Sequence, residues 1–159
     1  MSEGGHAVKI ERILHPTDFS ASSAYALQFA VSFAREFEAK LYLLHVIEDI
    51  AQALYFDMLQ TPPVGDILGE LERQARKELD KILADEPALP VERLLRRGVP
   101  FNEILRAARE LKIDLLVMGT HGRTGLKHAL FGSVAEKVVR KSPCPVLSVR
   151  HPDQKFEMP

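Results

Sequence analysis

Apolar positions along this chain alternate between two patterns. Short dense runs of aliphatic and β-branched residues are separated by longer stretches in which apolar residues recur every third or fourth position. The dense runs are Val8 to Leu14, Leu41 to Ile47, Val91 to Arg97, Ile113 to Met118 and Pro145 to Arg150. They predict strands, and the near-continuous apolar character of Leu41 to Ile47 predicts one buried on both faces, as in a parallel sheet. The first run is expected to halt at His15-Pro16, where proline removes a donor. Helical spacing predicts four helices. Leu27, Ala30, Val31, Ala34 and Phe37 mark the first, and Thr17-Asp18-Phe19-Ser20 ahead of them offers several N-caps. Ile67, Leu71, Ala75, Leu79, Ile82 and Leu83 mark a second over about Asp66 to Ala84. The third opens at Pro100 and uses Ile104, Leu105, Ala108 and Leu111, and the fourth spans Gly132 to Lys141.

Strand and helix alternate throughout, which predicts an α/β fold with a parallel sheet covered on both faces and right-handed crossovers. Ligands of such sheets bind outside the carboxyl ends of the strands, where the winding reverses. Two connections on that edge exceed the roughly 2–6 residues usual for strand-to-helix loops. One runs from Glu48 to about Gly65, the other from Gly119 to Phe131.

The second connection reads GTHGRTGLKHALFGS. Gly119, Gly122 and Gly132 lack a Cβ, so they are expected to tolerate positive φ and to let backbone N–H groups approach a ligand. Gly132-Ser133 opens a helix whose N–H groups and dipole favour an anion, and the Ser133 hydroxyl offers another donor. Arg123 and Lys127 supply positive charge to the loop. Phosphate binding is the expectation; the plainer alternative is a glycine-rich turn before a serine-capped helix. The pattern is neither the P-loop nor the dinucleotide fingerprint, because the turn after the first strand reads HPTDFS. A phospho-receiver would need an acidic pair there, and Asp18 stands alone.

Composition narrows the setting. At 159 residues the chain suits one domain, 1–150, followed by a loose tail, 151–159. With 46% hydrophobic and 27% charged residues it is not a disordered chain. Its net charge of −1 gives no general pull toward nucleic acid or membrane. No apolar stretch reaches the roughly 20 residues that span a bilayer, and 1–8 lacks the apolar run of a signal peptide. With one cysteine, Cys144, no intramolecular disulfide can form, and a cytoplasmic location is expected. Cys144 reads as a small buried hydrophobe rather than a redox group.

Further candidates have plain readings beside sharper ones. Asp18 either caps the entry of the first helix or faces a ligand. His15, His45 and His121 all fall at strand ends but lack a compact metal-ligand spacing, so no protein-held metal is expected. The charge-rich stretch Glu70 to Asp80 reads as the solvated face of the second helix.

With these features assembled, the chain resembles the universal stress proteins, in their ATP-binding branch. The family's motif G-x2-G-x9-G-[ST] is matched by Gly119, Gly122 and Gly132-Ser133, and the stretches ILHPTDFS, LLHVIE, DLLVMGTHGRTG and PCPVLSVR also match, so the resemblance covers about Val8 to Arg150. It implies a flavodoxin-like (Rossmann-like) open five-stranded parallel sheet of order 3-2-1-4-5, a homodimer, and an adenine nucleotide, foremost ATP, lying across the carboxyl ends of the first, second and fourth strands. Carried over by residue, Pro16, Thr17 and Asp18 lie near the adenosine end and Val46 flanks the adenine through its backbone. Met118 packs near the base and Gly119 near the ribose and phosphates. Gly122, Gly132, Ser133 and Val134 hold the phosphates, with His121 and Arg123 inside the loop. Magnesium or manganese would arrive on the phosphates.

The last strand, Pro145 to Arg150, is then a sheet edge, and an apolar edge invites pairing. Antiparallel pairing with its own copy across a two-fold axis would cover it; the alternative is cover by the tail. Three functional classes follow: a nucleotide-dependent regulatory protein with an unknown protein partner, a slow ATP hydrolase or transferase, and a nucleotide-free interaction protein. The glycine-serine pattern argues against the third. The second lacks paired carboxylates for two metals or an evident base, His121 being the best candidate. The first is expected.

Overall fold

The structure, a computed structural model, describes residues 8–48, 64–121 and 132–153, with residues 64–67 described in backbone only. The elements in chain order are β1 (Arg12–Pro16), α1 (Ala21–Glu36), β2 (Lys40–Glu48), α2 (Val64–Lys81), β3 (Val91–Gly98), α3 (Pro100–Glu110), β4 (Leu115–Gly119), α4 (Ser133–Lys141) and β5 (Val146–Val149). The five strands form one parallel sheet in the order β3-β2-β1-β4-β5. This is the flavodoxin-like order expected above, and the winding reverses between β1 and β4.

Successive residues of a strand face opposite sides of its sheet, and both sides here are apolar. Ile13, Leu41, Leu43, Val117 and Val149 pack under α1 and α2 with Ala26, Ala30, Ala34 and Leu79. Leu14, Tyr42, Leu44, Leu116 and Met118 pack under α3 and α4 with Ile104, Ala107, Ala135 and Val138. That two-sided burial gives β2 its unbroken apolar run.

Several expected boundaries shift. β1 starts at Arg12, not Val8, and continues through Pro16. The backbone phase explains the tolerance. Lys40 N–H donates to Glu11 O and Thr17 N–H to Leu44 O, so odd residues of β1 face β2. Asp114 N–H donates to Arg12 O, so even residues face β4. The missing N–H of Pro16 therefore points toward β4, where pairing stops at Leu14↔Leu116. Upstream, Asp114 Oδ2 accepts the N–H groups of both Glu11 and Arg12 at 2.9 Å, which anchors the strand's start.

On α1 the buried stripe is Ala26, Ala30 and Ala34, whereas Phe37 is the C-cap, 43% exposed, with its ring stacked on Phe33. Small side chains let the helix lie close to the sheet. α2 ends at Lys81, short of Ala84, and Arg93 on β3 takes up carbonyls at that end, donating from Nε to Leu79 O and from a terminal guanidinium nitrogen to Ile82 O. Leu83 then takes φ of 56°, while Ile82 and Leu83 still pack on the core. His151, expected in a loose tail, sets its ring edge-on to Tyr25 at 5.3 Å. Among the described residues no helix is long and apolar enough to cross a membrane.

Candidate functional site

The carboxyl ends of β2, β1 and β4 lie side by side, and each leads into residues singled out from the sequence. After Pro16 the chain turns through Thr17, Asp18 and Phe19 into α1. Thr17 is buried and every polar group it has is engaged. Its N–H donates to Leu44 O at 2.8 Å and its carbonyl accepts from His45 Nδ1 at 2.8 Å. Its hydroxyl accepts Phe19 N–H at 3.1 Å and lies 3.0 Å from Ser23 Oγ. Because Ser23 Oγ donates to Ser20 O, Thr17 is the donor in that hydroxyl pair.

Asp18 does not cap α1. Its Oδ1 accepts Ser20 N–H at 3.0 Å, closing the turn, and Ser20 is the N-cap, accepting Ser23 N–H through its hydroxyl. Phe19 adopts φ of 62°, and its ring lies 4.3 Å from that of His45. On β2, the residue after His45 is Val46, half-buried against the second core.

On β4, Met118 is buried within the second core. Gly119 does not use the conformational freedom expected of it: it has no positive φ, the only described glycine with one being Gly98. The lack of a Cβ matters instead for packing. A Cβ on Gly119 would meet Ser22 Oγ at 2.7 Å and Ser22 O at 3.1 Å, so only glycine lets α1 press this closely on the strand end. Beyond it, Thr120 N–H donates to Val149 O, and His121 is buried with Nδ1 2.9 Å from Thr120 Oγ1.

The two ends of the glycine-rich connection meet. Gly132 N–H donates to Thr120 O at 2.7 Å, which fixes the start of α4 at the end of β4. Gly132 is the N-cap with φ −70° and ψ 158°, again without positive φ. The first intrahelical bond is Glu136 N–H to Gly132 O, so the N–H groups of Ser133, Val134 and Ala135 have no partner within the helix. Ser133 is exposed, while Val134 packs partly into the second core. Helix N-termini of this kind favour anions through those N–H groups and the helix dipole. Gly122, Arg123 and Lys127 lie outside the described residues, as does 49–63 of the first long connection.

The three histidines occupy separate settings. His15 is fully buried, and its Nδ1 donates to Val117 O at 2.9 Å. Burial pushes its pKa down from 6.5 to about 4, against the smaller upward pulls of the Val117 carbonyl and Asp18, so it is neutral at pH 7. Among the described residues no three metal-ligating side chains are arranged to hold an ion. At Cys144 burial pushes the thiol pKa up, which keeps it protonated and poorly nucleophilic.

The structure thus brings together Pro16, Thr17, Asp18 and Val46 on adjacent strands, and Gly119, His121, Gly132, Ser133 and Val134 at one strand-to-helix junction. Sequence reasoning did not single out Phe19, Ser22, His45 or Thr120 for these contacts. For His45 a signal was available: it shares the odd phase of Leu41 and Leu43, which face α1.

Comparison with known proteins agrees with this architecture. Residues 9–150 match the family model described as the universal stress protein family. The universal stress protein MJ0531 of Methanocaldococcus jannaschii is 37% identical over 143 residues, 89% of this chain and 83% of that protein. The solved structure of protein MJ0577, from the same organism, superposes with a TM-score of 0.79 at 31% identity, covering 92% of this chain and 99% of that one. A universal stress protein solved in complex with cAMP superposes with a TM-score of 0.56 at 28% identity, covering 87% of this chain and 95% of that one.

Proposed function

This chain belongs to the universal stress protein family, and on that premise we propose that it binds an adenine nucleotide, foremost ATP, and acts as a nucleotide-dependent regulatory protein. The observation that carries the reading is the Gly132 N–H bond to Thr120 O. It sets an anion-favouring helix start against the end of β4, one strand over from the Thr17–Asp18 turn. Phosphates would meet the first-turn N–H groups of α4 and the Ser133 hydroxyl, together with Gly122 and Arg123. Met118 and Gly119 would line the middle. Pro16, Thr17, Asp18 and the Val46 backbone would take the adenosine. The engaged donors of Thr17 leave it a shaping role, and Asp18 the polar one. The relative solved with cAMP supports the adenine part of this reading. Magnesium or manganese would be carried by the phosphates.

The same reading makes the protein a cytoplasmic homodimer paired through β5. Its regulatory output would be a change in dimer or partner contacts rather than turnover. Isothermal titration with ATP and magnesium tests the core of it. A micromolar Kd, about 8 kcal/mol of binding free energy, is expected, and no heat at millimolar ATP refutes nucleotide binding. Gly132→Val should abolish binding while leaving the fold intact; unchanged affinity would remove the phosphates from α4.

A further inference from the structure

We infer that His45 is a positioning residue for the adenosine end of this site, acting from β2 on the Thr17–Asp18–Phe19 turn; the inference rests on the nucleotide reading above. Three observations meet at this residue. First, Thr17 O can only accept, so the 2.8 Å contact requires the His45 proton on Nδ1, and the imidazole is fixed as a donor to the turn. Second, the imidazole packs against the Phe19 ring at 4.3 Å between centroids, tilted by 30°. Third, Phe19 holds φ of 62°, a left-handed conformation that costs a non-glycine residue free energy and persists only where its surroundings impose it.

The surroundings that impose it are visible. The Phe19 N–H is held by Thr17 Oγ1, its ring by His45, and the following Ser20 N–H by Asp18 Oδ1. Asp18 is thus bracketed on both sides by residues that His45 touches. The direction of its carboxylate depends on the turn keeping this shape. His45 also directly precedes Val46, so one short piece of β2 both presents a backbone to the adenine and braces the turn that carries Asp18. A histidine merely filling core space would need neither a fixed tautomer nor a strained partner.

The test uses the full chain, with His45→Leu (no donor, no ring), His45→Phe (ring, no donor) and His45→Asn (donor near the Nδ1 position, no ring). ATP affinity by titration and amide exchange at Phe19 and Ser20 are read in each. In His45→Leu the Kd should rise about tenfold and both amides should exchange faster, while Leu43 in the same strand stays protected. His45→Phe should show an intermediate loss, and His45→Asn should recover most of the affinity, which core filling alone would not produce. Phe19→Gly removes the ring and relaxes the backbone; the packing lost from the first core should outweigh that relief and lower thermal stability while the fold is retained, and ATP should weaken severalfold, so this variant serves if the His45 variants fail to fold. Equal affinity in wild type, His45→Leu and Phe19→Gly overturns the positioning role. Unchanged exchange at Phe19 and Ser20 in His45→Leu overturns the brace itself. If wild type binds no ATP, the nucleotide reading falls and the positioning role with it, while the exchange data still decide whether His45 orders the turn.

Discussion

The hydroxyl of Ser22 lies 2.7 Å from the point that a Cβ on Gly119 would occupy, with the Ser22 carbonyl only 3.1 Å from it. The first turn of α1 and the last residue of β4 are therefore in near-contact. Gly119→Ala is expected to destabilise the protein by about 2 kcal/mol or more, because overpacking here displaces backbone and not only a side chain. Ser22→Ala should be close to neutral, since the Ser22 hydroxyl is buried without a hydrogen-bond partner among the described residues. The double variant should recover only part of the loss, as the carbonyl remains in the way. Urea unfolding of the three variants checks this; a Gly119→Ala protein as stable as wild type would mean that α1 sits further from β4.

Protonation of His15 gives a pH signature with a definite sign. Its pKa is about 4 in the folded protein against 6.5 as the ordinary value, so the unfolded chain takes up a proton first as pH falls. Above pH 6.5 the ring is neutral in both states and its contribution does not change with pH, and stability drops between pH 6.5 and 4 by about 3 kcal/mol. His15→Asn keeps a donor for Val117 O and cannot titrate. Its stability should be lower by a constant amount at neutral pH, with a shallower fall across that window. Superimposable pH profiles for the two proteins would contradict a buried neutral His15.

The two 2.9 Å bonds from Glu11 and Arg12 N–H to Asp114 Oδ2 tie the start of the central strand to the segment before β4. Asp114→Ala should cost about 1–3 kcal/mol, since it removes a charged acceptor from two amides. Asp114→Asn, which keeps one carbonyl oxygen, should cost less. Thermal or urea unfolding ranks the three; an Ala variant no worse than Asn would show that the amides are satisfied otherwise.

The place of β5 at the end of the strand order allows a selective test of the proposed dimer. Pro145 O and Val149 O accept from β4, so the backbone of Val146 and Ser148 faces away from the sheet. Ser148→Pro deletes an outward N–H without touching the β4 ladder, a placement that edge strands tolerate. Sedimentation should show wild type as a dimer and Ser148→Pro as a folded monomer. A Ser148→Pro dimer as stable as wild type would place the interface elsewhere.

The parts of the molecule legible in the sequence are those set by local pattern. The run Leu41 to Ile47 announces a strand buried on both faces, and Gly132-Ser133 announces a helix start with an anion preference. The parts that were not legible depend on partners distant in the chain. Pro16 stays in a strand because its ring happens to face the side where pairing with β4 has ended. Phe37 fits the helical period but loses to Ala26, Ala30 and Ala34, because closeness to the sheet selects small side chains over apolar ones. Gly119 reads as a glycine that lets a ligand approach, and the local pattern does not show its second demand, the closeness of Ser22 on α1 far earlier in the chain. Asp18 reads as capping the first helix or its entry turn, or as facing a ligand; its side chain closes the entry turn, while Ser20 caps the helix itself.

The central position of the first strand also bears on how the chain is made. The β2 partner of β1 is made soon after it, but its other neighbour, β4, is about 100 residues further on, as the Arg12–Asp114 contact shows. At roughly 5–20 residues per second, that strand waits on the order of 5–20 s after leaving the ribosome with one side uncovered. An apolar strand with an unpaired edge is a template for other chains during that interval. The β4-facing edge of β1 therefore stays unpaired until residues 115–119 are made, and any slowing of translation between residues 16 and 115 lengthens the period in which nascent chains can associate.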